Sequence, residues 1–216
     1  MRLMIKGIIF DCDGVLLDSE PIFTTATEMM MKERGIDFDM SRLGDSYGIT
    51  VRHFCQLVLK VYPELGDLET FIRDYYEYCD RLLMSDDLVP MKGLQDFVRT
   101  QRARGMKMAI ASSSPRYYVQ HKIDLFGISD CFDLIVCADD VTRSKPDPQV
   151  YLIATERLKE KKEDLIVIED APNGIASARA AGLYVVGFKG SELNQDTSEA
   201  DEEVYRFEDI QILKGI

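Results

Sequence analysis

Positive charge is scarce in this chain. Against 38 aspartates and glutamates stand 26 lysines and arginines, a formal net charge of -12 over 216 residues. A sequence-independent grip on nucleic acid or an anionic membrane needs the opposite balance, so any anionic substrate must be held by local positive groups. Cysteine is sparse and unorganised. Cys12, Cys55, Cys79, Cys131 and Cys137 are odd in number and never spaced C-x-x-C, which excludes a zinc signature and an obvious disulfide framework. They fit buried thiols in a reducing compartment. Long apolar runs are missing too: none approaches membrane-spanning length. Within residues 1–10, Arg2 and Lys6 interrupt the apolar residues ahead of a strand signature, so no signal peptide is expected. A cytoplasmic protein, monomeric by default, with no membrane or nucleic-acid partner, is the expectation.

What is present is core material. Hydrophobic residues make up 46% of the chain, enough for one large domain or a domain with a sizeable insert. The key stretch is Gly7-Ile8-Ile9-Phe10-Asp11-Cys12-Asp13-Gly14-Val15, where a short apolar run ends in two carboxylates. The run reads as a buried strand with its acids at the C-terminal end, where open parallel sheets place their ligand crevice. On an extended chain Asp11 and Asp13 would face one way and Cys12 the other. Two crowded carboxylates call for a cation or a proton between them, and Gly14 lets the chain turn. The plainer account is an acidic turn that merely ends a strand.

From 21 to 83 the pattern is helical. Phe23, Ala26, Met29 and Met30 recur at helical steps, as do Val51, Phe54, Leu57, Val58 and Val61, and a third stripe runs from Leu68 to Leu83. This predicts a small helical bundle inserted after the first strand. Tyr75, Tyr76 and Tyr78 could stack on a substrate, but aromatics on such a stripe are usually core. After Pro90 the chain alternates: a helix ending at Gly105, a strand over 106–111, a helix closing at Gly127, a strand over 134–137, and a helix bearing Val150 and Leu158. A strand over 165–168, an Ala-rich helix over 175–181 and a strand over 183–186 follow. Such units predict a parallel sheet flanked by helices on both faces. The acidic stretch 192–203 reads as a solvated connector and 204–207 as an edge strand.

In a parallel sheet the strand C-termini share one edge, so polar groups at three further strand ends can converge there. Ser112, with the backbone of Ser113 and Ser114 ahead of a helix, offers an anion site, although serine also simply caps helices. Lys145, in a loop stiffened by Pro146 and Pro148, could be a phosphate anchor or a solvated loop cation. Glu169 and Asp170 could be metal ligands or ordinary helix N-terminal charge. Together they describe one reaction. Oxygen ligands from Asp11, Asp170 and a backbone carbonyl suit Mg²⁺, Lys145 helps to neutralise a phosphoryl group, Asp11 attacks phosphorus, and Asp13 handles the protons.

The set Asp11-Cys12-Asp13-Gly14-Val15, Ser112 after a strand, Lys145-Pro146 and Glu169-Asp170 resembles, in order and context, the haloacid dehalogenase-like hydrolase superfamily. The resemblance covers essentially the whole chain. It implies an α/β fold, a Rossmann-like core over 1–17 and 88–216 with a mobile helical-bundle cap of the C1 type over 18–87, and Mg²⁺-dependent phosphomonoester chemistry. By position it makes Asp11 the nucleophile and Asp13 the general acid and base. It places Ser112, Ser113 and Lys145 on the substrate phosphate, and Asp11, Asp13, Glu169 and Asp170 at the metal. The nearest branch is β-phosphoglucomutase-like, through Asp13-Gly14-Val15-Leu16-Leu17-Asp18-Ser19-Glu20-Pro21 and Ile168-Glu169-Asp170-Ala171-Pro172-Asn173-Gly174-Ile175. The mutase's early cap histidine falls at Phe23 here, which favours a phosphatase for a small phosphorylated metabolite, a sugar phosphate above all, over a mutase. His53 could stand in for it, though a helix-surface histidine is the commoner explanation. The dehalogenase branch resembles this chain without the second acid, so Asp13 argues for phosphorus. A phospho-accepting signalling module similar to receiver domains also uses acids, a hydroxyl and a lysine, but has no need of the inserted bundle. Candidate substrate contacts, 46–52 with Arg52 and Tyr75, follow no readable code.

Overall fold

A computed structural model of the chain describes residues 5–43, 51–191 and 195–214, without the side chains of Glu20 and Phe23. Positions 46–50, the side chain at position 23, and 192–194 of the acidic stretch therefore lie outside the described residues. The chain divides into two compact units, Met1–Asp18 with Asp86–Ile216, and Ser19–Ser85.

Among its described residues the second unit contains three α-helices: α1 (Glu20–Glu33), α2 (Val51–Val61) and α3 (Leu68–Leu83). Asp67 caps α3 by accepting a 3.0 Å hydrogen bond from the Thr70 N–H. The apolar stripe of α3 buries Phe71, Tyr75, Cys79 and Leu83, so Tyr75 is a core residue, with its ring 5.5 Å from that of Phe54. Arg52 forms a bidentate pair with Glu69 (2.8 and 3.0 Å) on the exposed surface.

The first unit is built on a six-stranded, all-parallel sheet: β1 (Gly7–Phe10), β2 (Lys107–Ala111), β3 (Leu134–Val136), β4 (Leu165–Glu169), β5 (Tyr184–Phe188) and β6 (Glu202–Val204). Their order is β3-β2-β1-β4-β5-β6. β1 and β4 are buried along their whole length, as expected of continuous apolar runs in a sheet covered on both faces. Four helices connect the strands: α4 (Leu94–Ala103), α5 (Arg116–Leu125), α6 (Gln149–Leu158) and α7 (Pro172–Ala180). Ile9, Val167, Tyr151 and Ile175 belong to one buried cluster under α6 and α7. All five cysteines are buried and unpaired. Among the described residues no helix is long and apolar enough to cross a membrane.

The topology locates the crevice. The chain leaves β1 for β2 and β3 on one side, then crosses back to β4 on the other, so the strand order reverses at β1. Register does the rest. Phe10 pairs with Ile110 and Ile168, which sets Asp11, Ala111 and Glu169 level at the carboxyl edge, with Ser112 and Asp170 one residue beyond.

The end of the chain differs from the sequence expectation. The edge strand is Glu202–Val204, not 204–207, because Phe207 turns into the core, where its ring stacks on Phe188 (4.4 Å) and Phe97 (5.1 Å). Nor is the described part of 192–203 simply solvated. Thr197 is fully buried against Gly187, and Glu202 and Glu203 pair with β5. Charged residues are tolerated there because an edge strand exposes one side to water.

Candidate active site

Lys145 ties the level row together. Its ammonium donates to Asp11 Oδ1 at 2.5 Å, to the Ala111 carbonyl at 3.0 Å and to Glu169 Oε1 at 2.8 Å. Three strands thus meet on one nitrogen, and the lysine is not a solvated loop cation: its side chain is only 8% exposed. Burial works against its charge, but Asp11 and Glu169 outweigh that and hold Lys145 well above its ordinary pKa. Glu169 is held on every side, with Oε1 also accepting from the Tyr151 hydroxyl (2.9 Å) and Oε2 from the Ala171 N–H (3.0 Å).

Asp11, Glu169 and Asp170 each offer a carboxylate oxygen, and these atoms all lie within 4.8 Å of one another. With one ammonium among three acids, charge is left over. Burial first, then the charge of Asp11 and Glu169, pushes Asp170 up to about 9. Burial, opposed by Lys145 but reinforced by Glu169, brings Asp11 to about 7. A buried set of hard oxygens left short of positive charge is a chemical fit for a small divalent cation. Gln195 donates to Asp170 Oδ2 at 3.2 Å.

The same shifts set a pH dependence. Both carboxyls have folded-state values above the ordinary 3.8, so the folded protein binds the extra protons. Their contribution to stability is complete below about pH 4 and is lost as pH rises through about 7 for Asp11 and about 9 for Asp170. The melting temperature of chelator-treated protein should therefore fall from pH 5 to pH 9, and fall less in Asp170→Asn. Added Mg²⁺ should raise it more at pH 8 than at pH 5. Equal slopes in the two proteins would contradict the assignment.

Two glycines make room for these acids. At Gly14, φ is +79° and a Cβ would lie 1.9 Å from Asp170 Oδ2. At Gly174, on α7, a Cβ would lie 1.5 Å from Glu169 Oε1. Gly174→Ala should displace Glu169 from Lys145 and Tyr151, costing about 1–3 kcal/mol by overpacking as well as activity. A thermal melt with a parallel rate assay checks this, and an unaltered protein would show that Glu169 can move freely.

Asp13 departs from the expected geometry. β1 ends at Phe10 and the chain turns through Gly14, and the carboxylates of Asp11 and Asp13 pair with different ammoniums. Asp13 takes its own: Oδ1 accepts from Lys122 Nζ (2.9 Å) and the Tyr118 hydroxyl (3.0 Å), and Oδ2 from Ser114 Oγ (2.7 Å). Its carboxylate stands outside the three-acid set, unlike the four-acid set expected. Nor does Cys12 point the opposite way, since its Sγ is 3.7 Å from the same Lys122 nitrogen. Burial opposes the charge of Asp13, yet Lys122 and the two hydroxyls hold its carboxyl below the ordinary range.

Ser112 and Ser113 end up beside Lys145. They line one cavity of about 210 Å³ with Thr142, Arg143 and Ser144. Ser112 Oγ is buried and accepts from the Ser114 N–H at 3.0 Å, so that amide is already engaged. Sequence reasoning does not reach Lys122, Tyr118, Tyr151 or Gln195. Only Lys122 leaves a trace, a lysine on the same helical face as Val119, Ile123 and Phe126.

Known proteins resemble the chain over most of its length. The chain is 28% identical over 178 residues to a phosphorylated carbohydrates phosphatase of Thermotoga maritima, covering 82% of each chain. It is 29% identical over 180 residues to the fructose-1-phosphate phosphatase of Escherichia coli K12, covering 83% of this chain and 94% of that one. A solved structure of a candidate β-phosphoglucomutase from Thermotoga maritima superposes with a TM-score of 0.84 at 26% identity, covering 98% of this chain and 100% of that one. The haloacid dehalogenase-like hydrolase model matches residues 8–188, nearly the whole parallel sheet with its helical insert, and the chain belongs to that family.

Proposed function

We propose that the protein is a Mg²⁺-dependent phosphatase that hydrolyses a small phosphorylated metabolite, a sugar phosphate in the first instance, through an aspartyl phosphate on Asp11. The observation that carries this reading is the Lys145 ammonium, held between Asp11 and Glu169 beside a cavity lined by Ser112 and Ser113. The relatives that act on phosphorylated carbohydrates and fructose 1-phosphate support the substrate class. All the residues involved lie in the α/β unit, and residues 18–87 are assigned the part of a cap.

In this reading Ser112, Ser113 and Lys145 bind the phosphoryl oxygens, which lets a carboxylate approach an anionic group. An Asp11 oxygen forms a bond to phosphorus as the bond to the leaving oxygen breaks. The leaving oxygen takes the electron pair and a proton from Asp13. Water then attacks phosphorus, the bond to Asp11 breaks with its electron pair returning to the carboxylate, and the water proton passes to Asp13. Asp11 and Asp170, with Glu169 beside them, would hold Mg²⁺, which when bound supplies further positive charge to the phosphoryl group.

A phosphate-release screen over sugar phosphates, nucleotides and phosphoglycolate, with and without Mg²⁺, tests the proposal. Release should be strongest with a sugar phosphate and should vanish with chelator. No release from any of them would overturn the reading, and isomerisation of a sugar phosphate without net release would replace it with a mutase.

A further inference from the structure

Lys122 is fully buried on the inward face of α5, a position where an apolar side chain would fill the same space. A buried ammonium is costly unless it is paired, so its retention needs a reason. Its nitrogen lies 3.0 Å from the centre of the Tyr118 ring and donates to Asp13 Oδ1. Among the described residues, the three side-chain donors to the Asp13 carboxylate, Ser114, Tyr118 and Lys122, come from the segment that leaves β2 and forms α5. That segment also carries Ser112 and Ser113 into the cavity beside Lys145. The orientation of Asp13 is therefore tied to the phosphate loop, not to the turn of β1 on which Asp13 sits. Oδ1 accepts two hydrogen bonds and Oδ2 one, which leaves Oδ2 the capacity to take a further proton.

We propose that Lys122 is a positioning residue for Asp13, fixing the carboxylate so that Oδ2 takes the proton of the water that hydrolyses the phosphoenzyme. In that step the water oxygen bonds to phosphorus, the bond from phosphorus to Asp11 breaks with its electrons returning to Asp11, and the proton goes to Asp13. The inference rests on the phosphatase reading above.

Its test uses p-nitrophenyl phosphate, whose leaving group departs without a proton, so that formation of the phosphoenzyme is separated from its hydrolysis. Lys122→Met should give a burst of about one nitrophenolate per protein followed by a steady rate on the order of 10²-fold below wild type, with phosphate bound to acid-quenched protein. Lys122→Arg should recover most of the steady rate. In an Asp13→Asn background Lys122→Met should cost nothing further. Steady turnover of Lys122→Met near the wild-type rate, a slow rate with no bound phosphate, or an undiminished loss in the Asp13→Asn background would each overturn the proposal. If Lys122→Met does not fold, Tyr118→Phe, which removes another donor to Oδ1, decides by the same burst, and its absence overturns the proposal. A wild-type protein that releases no nitrophenolate refutes the phosphatase reading instead, whereas an active wild type with burst-free variants refutes only the role of Lys122.

Discussion

Asp11→Asn is expected to release phosphate from the best substrate at a rate lower by on the order of 10⁴-fold or more, because in the proposed mechanism both halves of the reaction pass through an acyl phosphate that the amide cannot form. The fold should survive. Burial already pushes the Asp11 carboxyl up to about 7, so a neutral side chain of the same shape relieves a desolvation cost. Lys145 keeps Glu169 and the Ala111 carbonyl as partners. The melting temperature should stay within a few degrees of wild type, and no phosphate should be trapped on acid-quenched protein. The combination separates a lost nucleophile from a lost fold, and a variant that turned over at more than a hundredth of the wild-type rate would remove Asp11 from that role.

Lys145→Met should damage both activity and stability. The ammonium donates to Asp11, Glu169 and the Ala111 carbonyl, and the Glu169 side chain is only 1% exposed. Removing one member of a buried ion pair leaves the other charge uncompensated, at a cost of about 3–5 kcal/mol. For a domain of this size that lowers the melting temperature by roughly 10 °C. The sign of its pH dependence follows from the partners. Without the ammonium, the Asp11 carboxyl rises further above its ordinary value, so the deficit should be larger at pH 8 than at pH 5. The rate should fall by roughly 10²- to 10³-fold, as for loss of a preorganised electrostatic contact in a dry site. Urea titrations at the two pH values, with rate measurements on the folded variant, check both parts. Equal deficits at the two pH values would mean that Asp11 does not feel the lysine.

Residues whose roles follow from local pattern are legible in the sequence alone. The apolar run of β1, the helical stripes, and the strand, loop, helix alternation depend on side-chain period and turn chemistry. Those are properties of neighbours along the chain. The convergence of Asp11, Ser112, Lys145, Glu169 and Asp170 is legible at one remove, because a parallel sheet puts strand ends on one edge whatever the loops do. The β6 boundary is not legible, because it depends on Phe207 finding Phe188 and Phe97. The partners of Asp13 are hidden for the same reason: Lys122 and Tyr118 lie more than a hundred residues away.

By itself the sequence determined the layered α/β architecture, the helical insert and which residues reach the carboxyl edge, since periodicity and strand ends are written locally. Only the tertiary structure decided how the charges are shared at that edge. Lys145 pairs with Asp11 and Glu169, Lys122 pairs with Asp13, and the acids left short of positive charge are Asp11 and Asp170. The physical reason is that a carboxylate's partner is set by whichever donor the packing brings within hydrogen-bond reach after the strand has ended and the chain has turned. Spacing along an extended chain no longer governs there.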